Sequence, residues 1–217
     1  MKSKTLVLGV LAALLLVFGG GAWFYQRWQA DQAAQRAQAN LQVLVRAHAP
    51  VFGNPQAPVH IVEFFDPACG TCREFYPMVK NLMDAYPGKV KLSLRYAPFH
   101  PGSDGVVRLL EAARRQGQFQ TALQTLFASQ GVWVQNHTAQ FDLAVAQLAP
   151  LGLDTARLQA DMANAEVAQL IAQDLADAKT LGVTMTPEYF INGKPLPSFG
   201  FEQLRDLVVG AVAASNP

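Results

Sequence analysis

The pattern of apolar and polar residues near the middle of the chain predicts two strands that flank a helix. Val59–Phe65 alternates and then fills with β-branched and aromatic side chains, which is typical of a buried strand. From Arg73 to Tyr86, apolar side chains recur at helical spacing. Lys89–Tyr96 alternates again and predicts a second strand, parallel to the first. This part of the chain therefore has the pattern of a strand–helix–strand unit.

Helical periodicity dominates the following segment, residues 104–180, which we interpret as helical throughout. A strand pattern returns at Glu188–Ile191, and Asn192–Gly193 behind it is a dipeptide typical of tight hairpin turns. A short edge strand and a last helix from about Phe201 to Ala213 complete the pattern. The expected fold class is α/β, with a long helical insertion before the last strands.

The N-terminal segment has a different pattern. Met1–Lys4 is basic, and Thr5–Phe24 carries no charge over about the twenty residues that a bilayer-spanning helix needs. The lysines are expected to stay in the cytoplasm, which places the rest of the chain on the far side. Gln26–Arg46, rich in Ala and Gln, predicts a helical stalk.

A cleaved signal peptide is the alternative for this segment, because Gly20 and Ala22 are small enough for a processing site. We favour an uncleaved anchor, since the apolar stretch is longer than a signal peptide requires and ends in aromatic residues suited to an interface, Trp23, Tyr25 and Trp28. In a bacterial cell the anchor predicts a single-pass inner-membrane protein with its domain in the periplasm. Cleavage predicts a soluble periplasmic protein.

Composition narrows the function classes. The chain has 217 residues and a formal net charge of +1, with no basic cluster, so it gives no support for nucleic-acid binding. Its two cysteines are too few for a disulfide-stapled scaffold. The two cysteines are therefore the main candidates for a chemical function.

The two cysteines form a Cys69-Gly70-Thr71-Cys72 motif between the predicted strand and helix. A helix N-terminus favours an anion, and therefore a thiolate on Cys69, which is the form that attacks disulfides. A zinc site would need two further ligands, and the four histidines have no suitable spacing. A structural disulfide over so short a loop would constrain the unfolded chain little. The motif therefore predicts redox chemistry.

Further positions resemble the DsbA-like family of thioredoxin-fold thiol:disulfide oxidoreductases, over roughly Pro50 to the C-terminus. Glu63 lies where these proteins carry a buried carboxylate below the disulfide, and Pro77 where many of them kink the active-site helix. Thr186-Pro187 is similar to their cis-proline loop, and the segment 50–66 to the start of their domain. The resemblance implies a thioredoxin-like fold with a helical insertion, here preceded by a transmembrane helix.

The resemblance also implies roles for these residues. Cys69 would be the exposed nucleophile that forms a mixed disulfide with a substrate, and Cys72 the resolving cysteine. A buried Glu63 would accept the proton of Cys72, unless the strand register turns it outward. A cis Pro187 would lie against the disulfide and leave the Thr186 backbone free to pair with a substrate strand. The redox-active disulfide itself would be the only cofactor.

The expected parts are a cytoplasmic tip and transmembrane anchor at 1–25, a helical stalk at 26–48, and a catalytic domain at 49–217 with a helical insertion at about 102–181. Expected partners are exported protein substrates and a membrane redox partner that re-oxidises or re-reduces the pair.

The direction of electron flow has competing signals. Gly70-Thr71 lacks the histidine of strongly oxidising relatives, Asp66 is a carboxylate that would destabilise the thiolate, and Thr186 resembles the disulfide isomerases. Disulfide formation is our first expectation, and isomerisation or reduction the alternative. A non-catalytic, copper-handling thioredoxin-fold module is a further alternative, with His100 as its extra ligand.

Overall fold

A computed structural model describes the backbone of residues 2–215 and the side chains of residues 16–215. The helices of this part of the chain are α1 (Lys2–Leu44), α2 (Gly70–Asp84), α3 (Ser103–Arg115), α4 (Phe119–Ala128), α5 (Gln130–Trp133), α6 (Phe141–Leu148), α7 (Thr155–Met162), α8 (Ala165–Leu181) and α9 (Phe201–Ala214). The strands are β1 (Val51–Gly53), β2 (Val59–Phe65), β3 (Val90–Tyr96), β4 (Val134–Gln135), β5 (Thr138–Ala139), β6 (Glu188–Ile191) and β7 (Lys194–Pro195).

Five strands form one sheet in the order β1-β3-β2-β6-β7. β2 and β3 are parallel, as their sequence pattern predicted, and the other neighbours are antiparallel. The central strand β2 is buried over most of its length, which explains its apolar sequence. β1 was not predicted, because three residues are too few to show alternation.

The side chains of β2 alternate between two apolar layers. Ile61 and Phe65 belong to the larger core, together with residues of α2 and α9, whereas Val62 and Phe64 pack with residues of α1 and α8. Since successive side chains of a strand point to opposite faces, Glu63 shares the face of Ile61 and Phe65. The carboxylate therefore lies in the layer that also contains the active-site helix α2.

The insertion between β3 and β6 is mostly helical, but the expectation of helix throughout residues 104–180 was wrong. β4 and β5 form a small antiparallel hairpin within it. The two turn residues, Asn136 and His137, both have a left-handed backbone, with φ of 48° and 60°. Two-residue strands carry no readable periodicity, so the sequence pattern did not show this hairpin.

The N-terminal segment forms one continuous helix, α1, which runs through both the predicted anchor and most of the predicted stalk. For the predicted span Thr5–Phe24, the side chains of residues 5–15 lie outside the described residues. In the part of the chain that is described, no helix is both long enough and apolar enough to cross a membrane. The C-terminal turns of α1 dock on the domain through Ala37 and Leu44, which are buried.

A buried arginine holds the end of α1. Arg95 of β3 has no exposed side-chain surface and donates hydrogen bonds to the carbonyls of Val43 and Leu44 at 3.1 and 2.7 Å. Its other nitrogens contact Asp174 and Asp177 of α8 at 2.8 and 2.5 Å. The guanidinium thus satisfies carbonyls that a helix end leaves unpaired and ties α1, β3 and α8 together.

Two residues behind α1 complete this network. Arg46 donates to Asp177 at 2.8 Å, and His48 contacts Asp174 at 2.6 Å. Burial works against the charge of Asp177, but the hydrogen bonds from Arg46 and Arg95 prevail and lower its pKa to about 2. Asp177 is therefore a paired charge in the folded protein, and Asp174 shares the same cation, Arg95.

We expect Arg95→Met to lower the free energy of unfolding by about 3–5 kcal/mol, because it leaves two buried carboxylates without their shared cation. Arg46→Met is the matched control. Its side chain is 31% exposed and water can replace it, so a loss of about 1 kcal/mol is expected. Urea denaturation of both variants measures the difference, and equal losses would contradict the role assigned to Arg95.

Candidate active site

The cysteine pair lies where β2 gives way to α2. Cys69 is the N-cap residue of α2, with an extended backbone, and no side chain caps this helix end. Cys72 lies one turn further in and has no exposed surface. Cys69 was expected to be exposed, but only 6% of it is accessible, because the loop at Thr186 covers it: the Cys69 thiol donates to the Thr186 carbonyl at 3.2 Å.

The two thiols differ strongly in acidity. The pKa of Cys69 is lowered to about 5, and the hydrogen bond from Cys72 contributes most to this decrease. Burial opposes the decrease, whereas hydrogen bonds with Thr186 and with the N–H groups of Cys72 and Thr71 lower the pKa further. Burial raises the pKa of Cys72 well above its usual value, and the hydrogen bond with Cys69 adds to this. At neutral pH the pair therefore holds one thiolate, on Cys69, and one thiol, on Cys72.

Glu63 lies beneath this pair and is buried, as expected for an inward-facing residue of β2. Burial raises its pKa to about 8, and the negative charge of Cys69 contributes in the same direction. Tyr189 of β6 is its cross-strand neighbour and lowers that pKa. Nevertheless, neither Glu63 Oε2 nor the Tyr189 hydroxyl has a hydrogen-bond partner of acceptable geometry among the described residues. The contact between the Glu63 carboxyl group and the Tyr189 hydroxyl is therefore weak.

The Thr186-Pro187 peptide bond is cis, as the family resemblance implied. Pro187 is buried, and the next residue, Glu188, begins β6 opposite Phe64. Glu188 is half-buried, and burial raises its pKa. The loop thus places the Thr186 backbone beside Cys69 at the end of the sheet.

Asp66 has a role that the sequence did not reveal. Its buried carboxylate accepts hydrogen bonds from the Ala68 N–H at 2.8 Å, from the N–H and Nδ1–H of His100, both at 2.8 Å, and from the Ser103 hydroxyl. A carboxylate with four donors organises the turn before Cys69 and ties it to the start of the insertion. The expectation that Asp66 acts on the thiolate took no account of these partners, which come from a separate segment.

Gln130 is a second residue without a sequence signal. It is buried, and its side-chain amide donates to the carbonyls of Pro67 and Cys69 at 2.9 and 3.0 Å. The insertion therefore supports the active-site turn directly. Nothing in the local sequence around Gln130 marks it, because its partners lie more than sixty residues earlier in the chain.

Strand, cysteine pair, buried carboxylate and cis-proline loop together define a thioredoxin-type active-site arrangement. The sequence model described as "Thioredoxin" matches residues 46–209, and the chain belongs to this family. The resemblance stated from the sequence is thereby confirmed for the family and the thioredoxin-like α/β fold.

Solved structures extend the likeness. A thioredoxin-like oxidoreductase from Silicibacter pomeroyi DSS-3 is 34% identical, with a TM-score of 0.69 over 81% of this chain and 98% of that one. The α-DsbA1 of Wolbachia pipientis, 20% identical, shares the fold with a TM-score of 0.67 over 82% of this chain and 99% of that one.

Curated relatives carry a different name. The Na(+)/H(+) antiporter NhaA 3 of Salinispora tropica is 31% identical over 170 residues, which are 76% of this chain and 25% of that protein. The NhaA of Herminiimonas arsenicoxydans is 29% identical over 66% of this chain and 22% of its own length. The chain thus spans about a quarter of the length of these relatives, and the antiporter name belongs to them.

Proposed function

We propose that this protein is a thiol–disulfide oxidoreductase that forms disulfide bonds in exported proteins through Cys69 and Cys72. The observation that carries the proposal is the asymmetric acidity of the pair, with a pKa of about 5 at Cys69 and a raised pKa at Cys72. A stabilised thiolate favours the reduced form of the pair and so makes its disulfide a stronger oxidant.

In the oxidising direction, a client thiolate attacks Cys69 Sγ of the Cys69–Cys72 disulfide. The bond between the two cysteines breaks, a bond between the client and Cys69 forms, and Cys72 leaves with the electron pair and takes up a proton. A second client thiolate then attacks the client sulfur and expels Cys69 as its stabilised thiolate. The client has lost two electrons to the pair.

Glu63 supplies or removes the proton at Cys72. Its raised pKa keeps the acid form populated near neutral pH, so it protonates Cys72 when this residue leaves. In the reverse direction the carboxylate accepts the proton, and Cys72 attacks the mixed disulfide. The negative charge of the Cys69 thiolate raises the pKa of Glu63. In the mixed disulfide Cys69 carries no charge, so the pKa of Glu63 falls and its carboxylate form is favoured at the step in which Cys72 must be deprotonated.

The cis-proline loop would hold the client. The Thr186 carbonyl accepts the Cys69 thiol in this structure, and it becomes available to a client N–H once Cys69 is in the mixed disulfide. A client segment bound there in extended form would add a short strand beside the disulfide, which is a common mode of peptide recognition.

The reduction potential of the pair tests the direction. After equilibration of the purified protein in glutathione buffers, we expect a potential between about −200 and −120 mV, the range of known oxidants of this chemistry. A potential near or below about −270 mV, the thioredoxin value, would contradict the oxidising role and indicate a reductase.

We further propose that α1 holds the domain at the outer face of the bacterial inner membrane, where a membrane redox partner re-oxidises the pair. Support comes from three aromatic residues of α1, Trp23, Phe24 and Trp28. Their side chains are exposed and do not pack into the hydrophobic core of the domain. Their rings suit a membrane interface. Signal-peptide cleavage, followed by release of a soluble periplasmic protein, is the alternative.

Protein expressed in an exporting host should therefore keep its original N-terminus and sediment with the membrane fraction. Mass analysis and fractionation after a high-salt wash measure both properties. The matched control is a variant in which a cleavable signal peptide replaces residues 2–25. This variant should be exported as soluble protein. A mature N-terminus near Trp23 would contradict the anchor.

A further inference from the structure

A groove with a volume of about 430 Å³ opens beside the cysteine pair, and the cis-proline loop is not among its lining residues. The first turn of α2 forms one wall, with Gly70 and Arg73, and the insertion forms the other. The insertion contributes His100 and the tip of the β4–β5 hairpin, with Asn136 and His137. A client joined to Cys69 would pass close to this groove, because Ala68 and Gly70, the neighbours of Cys69, both line it.

Several nitrogen-bearing side chains line the groove. Arg73 is 41% exposed, and the rings of His100 and His137 stack with their centroids 6.4 Å apart. Among the described lining residues, none is a carboxylate. Glu74 contacts Arg73 at 3.5 Å but is itself largely exposed, so it competes only weakly with another anion.

The buried Asp66 sets the orientation of His100. Since this carboxylate accepts from the His100 backbone N–H and from its Nδ1, the ring carries its hydrogen on Nδ1 and keeps Nε2 for another partner. Ser103 and Ala68 occupy the other oxygen of Asp66. Asp66 is thus engaged by these donors and is not among the lining residues of the groove.

The hairpin tip is equally ordered. Asn136 and His137 both adopt the left-handed backbone that non-glycine residues rarely adopt, and the β4–β5 pairing holds them there. This turn brings His137 over His100. The groove is therefore built from three separate segments, and it does not consist of one helix end alone.

We propose that this groove binds a carboxylate of the client, namely an Asp or Glu side chain within a few residues of the cysteine that reacts with Cys69. The inference rests on the proposed function and names a property of its substrates. Charge complementarity supports it, because the Arg73 guanidinium and the His137 imidazole offer donors and the lining offers no competing acid. The carboxylates of a small thiol such as glutathione share this chemistry, but they lack the adjoining peptide that would reach the cis-proline loop.

The test uses the oxidised full-length protein and three peptides that each carry one cysteine and differ only near it, with Asp, Asn or Lys. We expect stopped-flow rates of mixed-disulfide formation about 3–10-fold higher for the Asp peptide than for the Asn peptide at low salt, and lowest for the Lys peptide. The double variant Arg73→Gln, His137→Gln should bring the Asp rate down to the Asn rate and leave the Asn rate unchanged.

Lys194→Gln is the matched control, because it removes one exposed cation on β7, outside the groove. This variant should preserve the preference for the Asp peptide. Loss of the preference in Lys194→Gln would indicate general steering by net charge and would contradict the proposal that the groove binds the carboxylate. Equal rates for Asp and Asn, or a preference untouched by the double variant, would also overturn it. A groove-dependent effect on the reaction with reduced glutathione, equal to that seen with the Asp peptide, would also contradict the proposal. Failure of the proposed function is distinct, since then no peptide would react.

Discussion

Iodoacetamide should label Cys69 and leave Cys72 unlabelled in the reduced protein, with a rate that is half-maximal near pH 5. The reason is the lowered pKa of Cys69, about 5, beside the raised pKa of Cys72. At pH 6 the thiolate fraction of Cys69 exceeds that of an ordinary cysteine by roughly 300-fold. A less basic thiolate is also a weaker nucleophile, which offsets much of this gain in thiolate fraction. We therefore expect the labelling rate at pH 6 to be about 10-fold higher than that of a free cysteine.

Two variants serve as controls for this labelling. Cys72→Ala removes the hydrogen bond that contributes most to the acidity of Cys69, so the midpoint should rise above pH 5. The same variant should accumulate mixed disulfides with client proteins, whereas Cys69→Ala should accumulate few. Mass mapping that finds the label mainly on Cys72 would reverse the roles of the two residues.

Glu63→Gln should slow the resolution of a mixed disulfide by about 10–100-fold between pH 7 and 8, where part of Glu63 is a carboxylate, and should change its formation little. Resolution requires buried Cys72 to lose a proton, and a positioned carboxylate accepts it where an amide does not. The defect should shrink as the pH rises, for two reasons. Hydroxide replaces the missing base, and the charge of Glu63, which raises the pKa of Cys72, is absent in the variant.

Stopped-flow exchange with a model peptide at several pH values separates the two steps. Glu202→Gln is the matched control, because it makes the same change at an exposed position of α9 and should alter neither rate. If resolution in Glu63→Gln equals that of the wild type across the pH range, the proton acceptor for Cys72 is another group.

Several elements followed from the sequence because their signals are local. The alternation in β2 and β3, the helical spacing in α2 and the Asn192-Gly193 turn each depend on residues within one element. Glu63 was placed below the disulfide by the family resemblance, while its register in the strand was left open; the structure buries it on the face of Ile61 and Phe65. By contrast, β1 and the β4–β5 hairpin are two or three residues long and exist only because a neighbouring segment pairs with them.

The sequence by itself therefore determined the strand–helix–strand unit, the place of the cysteines at a helix N-terminus and the family. Only the tertiary structure decided their chemistry. Thr186 lies 117 residues from Cys69 yet contacts its sulfur, and Gln130 reaches the same turn from the insertion. Acidity depends on burial and on hydrogen bonds with such distant partners, and the spacing of residues along the chain records neither. The periodicity of a segment shows which of its faces is buried. Which residues contact that face depends on the packing of the whole domain.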